Sequence, residues 1–278
     1  MSTADAPPTR SVPLPRAADP RRPRAAPAAF AGNRLVPDPA RPLHVAHPAD
    51  RLTVAVVSVA WLRAQSHAVA ARLEARHLAP EEAAQAATLR VPRRRYEWLA
   101  GRLAVKHAVC AYLRRHGGRD AGTRAVRVGA VPHGPRAGRP VVDAPVGVGI
   151  SHSGDFAVAA CAPHAVGIDL EHRRTLAPPL ALLLSHEGDP GSPCPEGRRL
   201  AGMPLPLRWA CKEAVLKYYG FGLRVDFREV ALTGRHHDGA FSWRAGPGLL
   251  RHAPTADNAA PRTWAGEVDG CFLALVWT

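Results

Sequence analysis

Hydrophobic residues in this chain fall into short unbroken runs and longer helical stripes, in an order that occurs twice. Leu52-Thr-Val-Ala-Val-Val-Ser-Val-Ala60 is a β-branched run of the kind that forms a buried strand. Two helical stretches follow, about Ala64–Arg76 and Pro80–Leu89, the second opening with Pro80, Glu81 and Glu82 at its positive end. A longer helix is predicted from about Arg93 to Arg115, stopped by Gly117-Gly118, then a short strand at Val126–Val131 and a turn at Gly138-Arg139-Pro140. The second half begins with Phe156–Ala160 and Val166–Glu171, read as paired strands around a turn at Pro163-His164. A Gly/Pro-rich loop from about Gly188 to Pro206 leads into a helix over Leu207–Tyr219, and late strands are predicted at Val225–Leu232 and Phe272–Trp277.

Residues 1–48 do not fit this scheme. Prolines such as Pro7, Pro8, Pro13, Pro15 and Pro20 interrupt any helix, and the segment carries too little apolar surface to offset its ordering entropy, so a disordered tail is expected. The ordered part then divides at about residue 150 into lobes of 49–150 and 151–278. Trp98-Leu-Ala-Gly-Arg-Leu-Ala-Val-Lys106 and Trp209-Ala-Cys-Lys-Glu-Ala-Val-Leu-Lys217 share the spacing Trp-x7-Lys, a trace of duplication. A ligand between two such lobes would sit in their cleft.

Composition narrows the function. The net charge of +14 implies an acidic partner or a polyanionic ligand. No helix-turn-helix, zinc-finger or RNP-type signature accompanies the charge, so specific nucleic-acid binding is not expected. Cys110, Cys161, Cys194, Cys211 and Cys271 form no C-x-x-C pair, which excludes a zinc knuckle and fits reduced thiols in a cytoplasmic monomer. No apolar run is long enough for a membrane span, and Arg21-Arg22 precedes no apolar stretch, so no export leader is expected.

Three polar segments carry the candidate chemistry. In Val166-Gly-Ile-Asp169-Leu-Glu171, strand alternation puts both carboxylates on one face, about 7 Å apart. That suits a hard divalent cation shared with phosphates, and equally a solvated acidic edge. In Trp209-x-x-Lys212-Glu213-x-x-x-Lys217, Glu213 and Lys217 share a helix face with Lys212 on its flank; an exposed i,i+4 ion pair has the same pattern. Ile150-Ser151-His152-Ser153-Gly154-Asp155 offers hydroxyls, an imidazole and a glycine suited to holding phosphate. It approaches the hydrolase elbow G-x-S-x-G, but Ser153 stands in place of the last glycine.

Taken in order, S-H-S-G-D, G-I-D-L-E and W-x-x-K-E-A-x-x-K resemble the Sfp-type phosphopantetheinyl transferases, over roughly residues 78–223. The resemblance implies an α+β fold of two similar lobes related by a pseudo-twofold, with coenzyme A and Mg²⁺ in the cleft. It implies transfer of 4′-phosphopantetheine from coenzyme A to a serine of an apo acyl or peptidyl carrier protein, releasing 3′,5′-ADP. On this resemblance Asp169, Glu171 and Glu213 match the metal ligands, and Glu213 is the candidate base. Lys217 matches the lysine on the diphosphate, Lys212 is a further cofactor-binding candidate, and Ser151 and His152 match residues on the coenzyme A phosphates. Gly138-Arg139-Pro140 matches the turn beside the adenine. An arginine near the start of the first long helix would meet the 3′-phosphate; Arg95 is preferred, with Arg94 and Arg102 as alternatives. Glu82 lies where some members carry a phosphate-binding lysine, and Gly188-Asp-Pro-Gly-Ser-Pro replaces a helix that usually helps grip the carrier. The competing class is a basic module that holds coenzyme A or nucleic acid without transferring anything.

Overall fold

The computed structural model describes residues 35–118, 122–185, 200, 202–256 and 261–278. They form a mixed α+β fold. Four antiparallel strands make the first sheet: β1 (Leu43–Ala49), β2 (Leu52–Ser58), β5 (Gly147–Ser153) and β6 (Phe156–Ala162), in the order β1-β2-β6-β5. A second antiparallel sheet has the order β10-β11-β7, from β7 (Val166–His172), β10 (Arg262–Val268) and β11 (Cys271–Trp277). Two hairpins complete the sheet structure, β3 (Val128–Ala130) with β4 (Pro140–Val142) and β8 (Val230–Arg235) with β9 (Phe241–Ala245).

Alternation within the buried strands explains the layering. Val54, Val56, Val158 and Ala160 of the first sheet share a core with Ile168, Leu170, Leu273, Leu275 and Trp277 of the second. The opposite faces each meet a helix. Ala55, Val57, Ala157 and Ala159 pack under α4 (Pro92–Arg115), and Phe272, Ala274 and Val276 pack under α6 (Leu205–Tyr219). Strands covered on both sides read as continuous apolar runs, which is why β2, β6 and β11 were visible in the sequence.

Smaller helices surround this frame: α1 (Val59–Arg63), α2 (His67–His77), α3 (Pro80–Thr88), α5 (Pro178–Ser185) and α7 (Pro247–His252). The helix expected over Ala64–Arg76 begins only at His67, and a separate short helix, α1, takes up the end of the run expected as a strand to Ala60. Ser58 caps α1 through Trp61 N and Ser66 caps α2 through Val69 N, so each hydroxyl starts its own helix.

Three further expectations are corrected. The expected tail at 1–48 ends too late: β1 starts at Leu43 and Leu35 is buried against the sheets, while residues 1–34 lie outside the described residues. As an edge strand, β1 accommodates Pro48 at the register shift between Ala46 and Ala49. Strands β6 and β7 do not pair with each other; β6 bonds β2 and β5, and β7 bonds β11, so the turn at Pro163-His164 crosses from one sheet to the other. The Val225–Leu232 strand starts only at Val230, after a 3-10 turn at Phe227–Glu229.

Two lysines are fully enclosed. Lys106 of α4 pairs with Glu82 at 2.7 Å and donates to the carbonyls of Thr123 and Val126, just ahead of β3. Lys212 of α6 donates to the carbonyls of Phe227 (3.2 Å) and Val230 (2.5 Å), at the start of β8. The Trp-x7-Lys match pairs Lys106 with Lys217; by its bonds, its counterpart is Lys212. Among the described residues, no helix is long and apolar enough to cross a membrane.

Candidate functional site

Helix α6 and strand β7 come together because Gly167 lets them. A methyl group at Gly167 would lie 1.9 Å from the Ala214 carbonyl oxygen and 2.5 Å from Tyr218 N, so the helix backbone lies directly on the strand. Strand β5 also lies close to β7, where a methyl at Gly149 would meet Val166 O at 3.1 Å. His172 N donates to Ser153 Oγ across the same seam at 3.0 Å.

This convergence brings together side chains from three elements. Asp169 Oδ1 accepts from Ser151 Oγ of β5 at 2.7 Å and from Lys217 Nζ of α6 at 2.5 Å. The same ammonium lies 3.2 Å from Ser151 Oγ and 3.1 Å from Glu213 Oε2. Asp169 is 2% exposed and Glu171 9%, which rules out a solvated acidic edge. Glu171, on the same face as Asp169, meets the Arg174 guanidinium at 3.3 Å. Among the described residues, Asp169 Oδ2 is buried with no hydrogen-bond partner.

Electrostatics follow from the burial. Loss of solvent raises the Asp169 carboxyl to about 7, and Lys217 and Ser151 pull against that rise. Burial alone would lower Lys217, but Asp169 and Glu213 outweigh it and push the ammonium up to about 12. Glu171 is raised by burial, with Arg174 opposing. His152 is held below its ordinary value, chiefly by loss of solvent around the ring, while Glu97 pulls it upward.

Beside the cluster is a cavity of about 550 Å³, into which Lys217 projects from one wall and Arg102, Gly138, Arg139, Pro140 and Phe221 from the others. Its shape comes from two backbone reversals. Gly138, at φ +87°, turns the β3–β4 connection, with Val131 N donating to Arg139 O at 2.9 Å. Helix α6 ends at Gly220 in the left-handed conformation, and Phe221 N returns to Leu216 O at 2.9 Å. That closure places Gly220 and Phe221 on the cavity wall one turn beyond Lys217. Burial lowers both Arg102 and Arg139, marking them as cations short of water.

The three candidate arginines of α4, Arg94, Arg95 and Arg102, are now distinguishable. Arg95 is turned away, its guanidinium forked onto both Glu74 oxygens of α2 at 2.8 and 2.9 Å. Arg94 is exposed, 3.8 Å from Glu97. Arg102 lines the cavity, its guanidinium 4.9 Å from the Trp98 ring and its Nε buried without a partner among the described residues. Lys212 points away from the cluster, both bonds going to backbone carbonyls.

The sequence reading missed Arg174, Phe221 and Arg136, whose guanidinium lies 5.6 Å from the Phe221 ring. Gly220 and Gly222 around Phe221 were the available sign of a backbone held close to something. The Gly188–Pro206 loop lies mostly outside the described residues.

The donor set fits a hard divalent cation in its chemistry: buried carboxylates, one carrying an orphan oxygen, next to a cation-lined cavity. Among the described residues, no three such groups yet converge to hold one. Lys217 and Arg174 stand on the carboxylates instead. No protein-family model matches the chain, and no curated protein matches it.

Proposed function

We propose that this chain transfers the 4′-phosphopantetheine arm of coenzyme A to a serine of an apo acyl or peptidyl carrier protein, with Mg²⁺ as cofactor. The observation that carries the reading is the junction of Asp169, Glu213, Lys217 and Ser151 at the edge of a cavity walled by Arg102 and Arg139. A simple anion binder gains nothing from buried carboxylates beside phosphate unless a cation intervenes.

The fold supports the two-lobe form of this reading. The order β2-β6-β5 under α4 parallels β7-β11-β10 under α6, and each helix encloses a lysine on carbonyls ahead of a two-stranded hairpin. Aligned on those lysines, Arg102-x-Ala104-x-Lys106-x-Ala108-Val109-x-x-Tyr112 matches Arg208-x-Ala210-x-Lys212-x-Ala214-Val215-x-x-Tyr218. We read the two halves as lobes related by a pseudo-twofold, with the cavity and the carboxylates where they meet.

In the reaction, the carrier serine attacks the β-phosphoryl group and 3′,5′-ADP leaves. Asp169, Glu171 and Glu213 would hold Mg²⁺, which when bound neutralises charge on the diphosphate. Lys217 binds a diphosphate oxygen, and Ser151 and His152 position the phosphates. Arg102 takes the 3′-phosphate, where its orphan Nε and lack of water favour a dianion. Arg139 and the Gly138-Arg139-Pro140 turn flank the adenine. Glu213 accepts the serine proton. The net charge of +14 draws in an acidic carrier.

The test is to incubate the full chain with coenzyme A, Mg²⁺ and several apo-carriers and weigh the carriers by mass spectrometry. One phosphopantetheine per carrier is expected, abolished by EDTA and reduced at least ~100-fold by Asp169→Ala. Coenzyme A binding with no carrier modified, across a broad carrier panel, would return the protein to the binding-module class.

A further inference from the structure

The carboxylates proposed to hold the cation already carry positive charge from the chain itself. Lys217 Nζ bridges Asp169 Oδ1 at 2.5 Å and Glu213 Oε2 at 3.1 Å. Arg174, which no motif singled out, places its guanidinium 3.3 Å from Glu171 Oε2. Removing a partner from a buried carboxylate is costly, so these contacts hold the acidic cluster together in the free protein. One oxygen of each, Asp169 Oδ1 and Glu213 Oε2, contacts the ammonium between them, while Asp169 Oδ2 has no partner among the described residues.

We propose that Lys217 and Arg174 are internal stand-ins for the divalent cation, so that metal and diphosphate enter together. This rests on the transferase reading. A metal arriving alone must evict Lys217 from two carboxylates and leave the ammonium without a partner in a partly closed site, 24% exposed. A metal arriving with a diphosphate gives both cations a new anion. Lys217 moves from Asp169 to a phosphate oxygen while keeping Ser151 within reach, at 3.2 Å in the free protein. Arg174, 57% exposed, can leave Glu171 without disturbing the core. Metal and coenzyme A thus strengthen each other's binding, and by linkage to the same degree. Arg174 becomes a positioning residue: it holds Glu171 until the cation arrives.

The experiment uses Mn²⁺ as the probe on the full chain, with free Mn²⁺ counted by electron paramagnetic resonance in the presence and absence of coenzyme A. Wild type is expected to bind Mn²⁺ at least about tenfold more tightly with coenzyme A present, within the usual range of coupling between sites. Lys217→Met, which keeps the apolar stem, should bind Mn²⁺ more tightly than wild type when coenzyme A is absent, and should lose most of the coupling. Arg174→Ala alters an exposed side chain, and should shift metal affinity the same way by a smaller factor. Equal Mn²⁺ affinity with and without coenzyme A in wild type overturns the proposal, as does unchanged or weaker Mn²⁺ binding by both variants. Failure of the transferase reading looks different: Asp169→Asn would then bind Mn²⁺ as wild type does, whatever coenzyme A does.

Discussion

Gly167→Ala tests whether the site depends on how closely α6 lies against β7. The new methyl would sit 1.9 Å from the Ala214 carbonyl oxygen, whereas real Cβ atoms essentially never come within 3.0 Å, so helix and strand must part by at least about 1 Å. The obstacle is helix backbone, which cannot rotate aside as a side chain would. Overpacking of this kind costs about 1–3 kcal/mol, and the upper end applies where both partners are backbone. The consequence for chemistry is larger. Lys217 Nζ contacts Asp169 at 2.5 Å and Glu213 at 3.1 Å, and Asp169 is two residues from Gly167 while Ala214 follows Glu213. Displacement of about 1 Å in a positioned site costs roughly 10²-fold in rate. Thermal denaturation and carrier modification should therefore both fall, with rate losing more than stability predicts. Gly122→Ala is the control, since a methyl there meets nothing within 4 Å. A Gly167→Ala protein with wild-type Tm and turnover would refute the close helix–strand contact and the site built on it.

Other outcomes follow from the same coordinates. Arg102→Ala should weaken coenzyme A binding by about 10-fold or more while sparing binding of dephospho-coenzyme A, as measured by calorimetry; Arg95→Ala should leave both affinities unchanged and cost only stability through Glu74. Deleting residues 1–45 should lower Tm by at least ~4 °C relative to deleting 1–34, because the longer cut removes Leu35 and the first half of β1. His107 is lowered to about 4 by burial and by nearby His77, Arg76 and Arg114, with the His77 ring 5.4 Å away. Between pH 6.5 and about 4 the unfolded chain therefore binds a proton that the folded chain refuses. Stability is full above pH 6.5 and is lost as pH falls through that window, by up to ~1.4 kcal/mol per pH unit. Melting curves of His107→Gln should show a flatter acid limb; parallel limbs would refute the assignment.

The residues that meet at Asp169 were legible because each lies in a short linear motif whose geometry is local. Alternation put Asp169 and Glu171 on one face, and helical spacing put Glu213 beside Lys217. What the sequence could not show was set by packing between elements. On a 24-residue helix, which arginine faces the cavity depends on the helix's rotation. That rotation follows the face packed in the core, with Leu99, Ala100, Leu103 and Ala104 among its residues, and Glu74 draws Arg95 toward α2. Lys212 looked like a flanking cation because its carbonyl partners lie 15 and 18 residues further on. Strand β1 was hidden by a Pro/Ala/Arg background, and β5 by the polar Ser151-His152-Ser153 that ends it.

Two buried ion clusters in this protein allow a structural role to be separated from a chemical one. Lys106 and Glu82 are both enclosed, and every strong valence is used: Glu82 takes the backbone N–H groups of Ala79 at 2.8 Å and Val128 at 3.2 Å, and Lys106 takes two carbonyls. Neither lines the cavity. Such a closed network joins α3, α4 and β3 and leaves nothing for a ligand. The Asp169 cluster has equally deep carboxylates but is not closed. It keeps a buried acceptor without a partner, depends on a lysine shared among three groups, and opens on a cavity lined by under-solvated arginines. An apolar replacement of comparable volume would serve the fold at least as well. A cluster left incomplete at a cavity edge is therefore better explained by what it binds than by what it stabilises.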